Sequence, residues 1–208
     1  MPENTIRQAL GYHGVDSAKY KKRADGATVT NMPYIKNISL DRQINITPQY
    51  ANNRLLCNIT SDNGYTGNLG TTAQDADFET ELGMIVRLHD GSQATVNRVG
   101  SPRMDYYYEF NQVSEEGVTQ VAKVWLLNVE FREPSQNHAT DTDSKDFGEY
   151  IYPFTVYGDR LLDSDGETDY VDDNGNKLTC YRIISLPGDT GYDSFESAVP
   201  TPKLQANP

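Results

Sequence analysis

Alternation of apolar and polar positions dominates the chain, so strands are the main expectation. Pro33–Leu40 alternates through Tyr34, Ile35, Ile38 and Leu40, and Asn52–Thr60 does so through Leu55, Cys57 and Ile59. Asn63-Gly64 follows the second run and is the strongest short hairpin signal in the sequence, because both residues tolerate positive φ. The next strand places Tyr65, Gly67 and Leu69 on one face, and its glycines at 64, 67 and 70 predict a bulge or close backbone approach. One short helix is expected after it. Asp75 or Asp77 would cap it, Phe78 and Leu82 would form a single apolar stripe, and Gly83 would end it. Further strands are predicted over Met104–Val113, Val118–Phe131, Phe147–Tyr157 and Leu178–Leu186. In the longest of these the odd positions Val121, Trp125, Leu127, Val129 and Phe131 are apolar apart from Lys123, which predicts that this face is core. Asp90-Gly91 and Ser114–Gly117 are turn signals, and 134–145 reads as a polar loop.

Strands, one helix, then strands predict a mainly β fold: an antiparallel β-sandwich or barrel with one short flanking α-helix. Residues 1–186 would form the β domain. Two extensions are expected on it, a basic N-terminal arm over about 1–32 and a C-terminal arm over 187–208. The prolines at 187, 200, 202 and 208 oppose regular structure in the second.

Composition adds to this. The 208 residues include 14 tyrosines, which suit half-buried sheet and surfaces that bury on association. The formal net charge is −12, but residues 1–54 carry a net +4 and the remainder −16. Lys19, Lys21, Lys22 and Arg23 are therefore a candidate inter-subunit arm docking on an acidic neighbour, beside the plainer reading of a solvated basic stretch. An acidic body opposes tight nucleic-acid binding, which needs phosphate neutralisation. The first residues have no apolar core like that of a signal peptide, and no run approaches a membrane span. No membrane partner and assembly in a cytoplasm are expected. The sequons at Asn37, Asn45 and Asn58 then have no consequence. Cys57 and Cys180 lie in strand-like apolar runs, so two buried free thiols are expected.

Catalytic chemistry is not signalled. His13, His89 and His138 have no Cys or carboxylate at metal-ligand spacing, and no nucleophile elbow, phosphate loop or zinc motif occurs. Asp163–Asp169 and Asp172–Asn176 alternate carboxylates as some calcium loops do, but lack the full ligand spacing. No catalytic residue, metal or cofactor is expected, and a two-carboxylate hydrolase has no positional support. Tyr106, Tyr107, Tyr108 and Trp125 could form a stacking platform, the basis of an alternative reading as a carbohydrate-binding adhesin module.

The stretch Tyr50 to Gly83 resembles the major tail protein (tail tube protein) family of long-tailed phages of Gram-positive hosts. The resemblance rests on Tyr50-Ala51-Asn52-Asn53, on Asn63-Gly64-Tyr65-Thr66-Gly67-Asn68-Leu69, and on Phe78 through Leu82-Gly83. It covers about a sixth of the chain clearly and more of it loosely. The Lys19–Arg23 opening and the acidic segment 159–176 depart from the family pattern. The resemblance implies a fold of the tail tube type and a structural virion protein. Such subunits form hexameric rings that stack into a tube, with a tape-measure protein inside and tail terminator and distal tail proteins at its ends. DNA later passes through without sticking. Removing 187–208 or neutralising the basic cluster is then expected to impair polymerisation more than folding.

Overall fold

The computed structural model describes residues 9–97, 100, 102–114, 117–137 and 148–205, and within them the chain is mainly antiparallel strand. The strands are β1 (Ala9–Lys22), β2 (Thr30–Met32), β3 (Ile35–Ala51), β4 (Arg54–Thr71), β5 (Ile85–Arg87), β6 (Gln93–Thr95), β7 (Arg103–Ser114), β8 (Thr119–Phe131), β9 (Ser135–Asn137), β10 (Glu149–Val156), β11 (Asp159–Arg160), β12 (Thr179–Cys180) and β13 (Arg182–Ser185). One helix, α1 (Ala76–Glu81), lies between β4 and β5. The main sheet runs β2-β1-β7-β8-β10-β4-β3, with β13 on β8 and β9 on β10. Residues from β1, β3, β4, β7, β8 and β10 share one core, so the sheet folds over on itself as a sandwich.

The β3–β4 hairpin departs from the sequence expectation. Its turn is Asn52-Asn53, with φ of 49° and 63°, and Ala51 pairs with Arg54 across it. Positive φ at both central residues is what a two-residue hairpin turn of matching twist requires, and asparagine is the residue other than glycine that supplies it most readily. Asn63-Gly64 instead lies inside β4. There the pairing shifts register between Arg42 and Ile44, and Gly64 has φ 83°. A bulge and a turn draw on the same residue types, so the local signal could not separate them.

The helix forms as its sequence predicts. The Asp75 carboxylate accepts from the N–H groups of Asp77 and Phe78, which satisfies two otherwise open donors. Phe78 and Leu82 are fully buried. Phe78 meets Tyr20, Phe131 and Tyr152 at ring-centroid distances of 4.9, 5.1 and 5.5 Å. A six-residue helix has little intrinsic stability, so this clamp of aromatic rings is what holds it on the sheet. Gly83 follows with φ 71° and donates to Thr80 O.

β8 has two buried faces rather than one. Asn128, at φ 57°, interrupts its alternation, and the facing pairing on β7 shifts between Met104 and Tyr106. Before this bulge the even positions Val124 and Leu126 enter the main core; after it the odd positions Val129 and Phe131 do. Trp125 and Leu127 point to the opposite face, where they form a second small core with Tyr107. Val121, assigned to the core by simple alternation, is exposed.

The C-terminal segment is not an extended arm in this chain. It crosses the outer face of β7 and β8, where Phe195 and Val199 pack on the Trp125 cluster. The Trp125 indole N–H donates to Phe195 O at 2.7 Å, and Leu204 N–H donates to Leu162 O. Nor is the N-terminal region an arm throughout: Ala9–Lys22 is a sheet strand paired on both edges, with β7 and with β2.

Candidate interaction surfaces

β4 pairs with β10 only over Tyr65–Thr71. Beyond that point the β3–β4 hairpin continues without a third strand among the described residues, from the Ile44–Asp62 pair to the turn. Among the described residues its apolar side chains stand open: Ile46 is 62% exposed, Leu56 71% and Tyr50 68%, with Ile44 and Leu55 also exposed. Residues 43–61 contain one charged side chain, Arg54. Elsewhere the surface is rich in charge, so this is a local loss of the groups that keep a surface wet. An isolated two-stranded hairpin is at best marginally stable in water. Cys57 lies on this hairpin and is exposed, contrary to the expectation of burial, because no layer packs there; Cys180 is half-buried, and both thiols are free.

The remaining residues of the motif divide by role. Leu69, Phe78 and Leu82 are core. Gly67 lets β3 and Phe154 approach: a Cβ there would stand 2.0 Å from Ser39 O. Gly64 faces Val156 O and the Tyr181 ring in the same way. Tyr65 packs edge-on to Tyr181 at 5.7 Å, with the Arg42 and Arg182 guanidinium groups 5.8 and 5.7 Å from its ring. The Asn63 side chain accepts from the Ser61 hydroxyl. Tyr50 stands on the exposed hairpin, next to the turn.

The basic cluster is engaged within its own chain. Lys19 pairs with Glu196 at 2.6 Å, Lys22 with Glu81 at 2.5 Å, and Arg23 with Asp105 at 3.0 Å and with Asp159. Lys21 lies opposite Asp105 in the β1–β7 register. Burial pushes the Asp105 carboxyl above its ordinary value, although the Asn128 N–H and Arg23 act in the other direction. These contacts join the end of β1 to the helix, to β11 and to the C-terminal segment.

Tyr106, Tyr107, Tyr108 and Trp125 are all buried, so they do not form an exposed stacking platform. This removes the observation on which the carbohydrate-binding reading stood. In the acidic segment, Asp165 accepts from the Glu167 and Thr168 N–H groups and from the Thr168 hydroxyl, which brings its carboxyl down to about 2. Asp172 accepts from Asn174 and Asn176 in the same manner. These carboxylates close turns. Among the described residues no three His, Cys, Asp or Glu side chains are grouped to hold a metal ion. His13 lies in β1 and His89 beside the β5–β6 turn; His138 and most of the 134–145 loop lie outside the described residues.

No protein-family profile matches the chain, and no curated protein does. Among solved structures, it is similar to a chain of the 6-fold symmetrised cryo-EM structure of the anti-feeding prophage (AFP) baseplate. The identity is 9%, the TM-score 0.39, and the match covers 72% of this chain and 92% of that one.

Proposed function

We propose that this protein is a structural subunit of a phage tail, which self-assembles into hexameric rings that stack as the tail tube. The observation that carries the reading is the β3–β4 hairpin. It is long, almost uncharged and apolar on its open surface, and it has no partner strand within the described chain beyond Asp62. A monomer that kept this hairpin in water would expose an edge and a row of large apolar side chains, a standing route to association. Burial against another copy removes both. The stretch that resembles the tail tube family frames this hairpin, from Tyr50 beside its turn to Gly64 at its base.

The other partners follow from the same reading: a tape-measure protein within the tube, and terminator and distal tail proteins at its ends. The acidic body, at a formal −12, suits a conduit that repels DNA phosphate. The place of action is the virion tail, assembled in the host cytoplasm. Tyr106–Tyr108 and Trp125 are core and contribute no recognition surface. The reading requires no catalytic group.

The test is sedimentation and negative-stain microscopy of the purified protein. Rings or tubes of uniform width are expected, and Ile46→Glu combined with Leu56→Glu should abolish them while leaving the circular dichroism of a folded β protein. A wild-type chain that stays monomeric across salt and concentration would sink the reading.

A further inference from the structure

Where the main core reaches the surface it opens into a groove of about 650 Å³, lined by Tyr12, Val15, Ile38, Leu40, Phe110 and Ile184. Val15, Ile38, Leu40 and Phe110 are half-buried at the margin of the core. Ile184 is the telling residue. It pairs across the ladder with Val124, which is fully buried in that core. Directly opposed residues project to the same face of a sheet, so Ile184 faces inward. It is nevertheless 41% exposed, because no layer among the described residues covers the core at this point. Among the described residues β13, which carries Ile184, pairs only with β8. Its outer edge therefore offers backbone groups to an added strand, with the groove beside it to receive alternate side chains.

We infer that this groove is the acceptor for the β3–β4 hairpin of a second copy of the chain, a contact that rests on reading the protein as a self-assembling subunit. The chemistry of the two surfaces is matched. The groove has an apolar floor, and Arg182, Asp189, Gln112 and His13 stand at its polar rim. The hairpin is an extended apolar ridge with one charge in residues 43–61. The hairpin of the same chain cannot be the occupant. Ile38 and Leu40, in the groove wall, and Ile44 and Ile46, on the ridge, belong to one continuous strand, and at strand rise six residues separate them by roughly 20 Å. The ridge thus runs away from its own groove. A ridge and a groove at different heights of one strand permit a heterologous contact, and a ring reading requires that form, since it propagates from copy to copy and closes when the rotation permits.

The test uses charge placed on each side. Ile184→Glu and Tyr12→Glu alter the groove at residues 41% and 70% exposed, and circular dichroism of each variant checks that it folds. Leu56→Glu alters the ridge. Each variant should raise the concentration needed for assembly by about tenfold or more, the effect of losing one well-buried contact. An equimolar mixture of Tyr12→Glu and Leu56→Glu chains should form a discrete dimer by sedimentation, since one intact ridge and one intact groove remain. Groove variants that assemble like wild type, or a mixture that yields no dimer, would overturn the pairing. Groove variants that block assembly while Leu56→Glu does not would assign the groove another occupant and overturn it as well. A wild-type chain that never assembles would instead remove the underlying function, so the two failures are distinguishable.

Discussion

Gly64 shows how one position can carry a motif for a backbone reason. Its φ of 83° is in the left-handed region. A Cβ there would stand 2.3 Å from Val156 O and 2.9 Å from the Tyr181 ring. Gly64→Ala should therefore cost about 2 kcal/mol or more, from torsional strain plus forced separation of β4 from β10. Gly67 lacks the positive φ, yet its Cβ would meet Ser39 O at 2.0 Å, so Gly67→Ala tests the steric part alone. Urea denaturation midpoints measure both. If either alanine variant matched wild-type stability, the close packing of β3, β4 and β10 would not be the reason for these glycines. The glycines at 64 and 67 are legible in the sequence as marks of a bulge or a close approach, and the structure has both. The turn falls at Asn52-Asn53 rather than Asn63-Gly64, a choice local sequence does not make because both pairs tolerate positive φ. What separates them is whether a third strand lies alongside, which β10 supplies at Tyr65 but not at Asn52.

Among the elements, the C-terminal segment gains a role that its proline content did not announce. It covers Tyr107, Trp125 and Leu127, each fully buried, and it supplies the acceptor for the Trp125 indole. Deleting 187–208 should cost on the order of 3 kcal/mol, through exposed apolar surface and an orphaned N–H. Trp125 is the sole tryptophan, so its emission reports the loss directly as a shift to longer wavelength. Unchanged emission and midpoint would show that the segment does not cover the sheet. Since Lys19 and Glu196 link β1 to this segment, charge reversal at Lys19 should act in the same direction but more weakly, because the pair is only partly buried. From sequence, removal of 187–208 or neutralisation of Lys19, Lys21, Lys22 and Arg23 is expected to affect polymerisation more than folding; the packing of the segment on its own sheet adds a folding cost. β8 teaches a related lesson. Its run of apolar residues was legible, but the residues facing each core were not. Asn128 switches the parity of the strand, and only the pairing with β7 and the second layer beneath Trp125 reveal the switch.

For the molecule as a whole, tyrosine content couples stability to alkaline pH. Burial raises Tyr20 and Tyr108 to about 12, and raises Tyr106, Tyr107 and Tyr152 as well; hydrogen bonds to Glu109 and Glu79 add to the last two. A folded-state value above the unfolded one contributes stability that is fully present below the unfolded value, near pH 10. That contribution is lost as pH rises through the folded value. Stability should therefore hold to about pH 10 and fall steeply toward pH 12, with tyrosinate absorbance appearing together with loss of β structure. Gradual ionisation of these tyrosines within an intact fold would contradict their burial.

Local residue pattern suffices for the strand-rich architecture, the capped helix with Phe78 and Leu82 inward, and the glycines that let strands approach. These follow from side-chain period, capping chemistry and backbone freedom, all of which act over a few residues. Tertiary structure alone decided that Lys19–Arg23 is held within its own chain, that the C-terminal segment lies over Trp125, and that the β3–β4 hairpin outruns its sheet. Each depends on what stands beside a strand rather than within it. A short alternating pattern is the same whether its apolar face meets a core, as at Leu69, or water, as at Leu56.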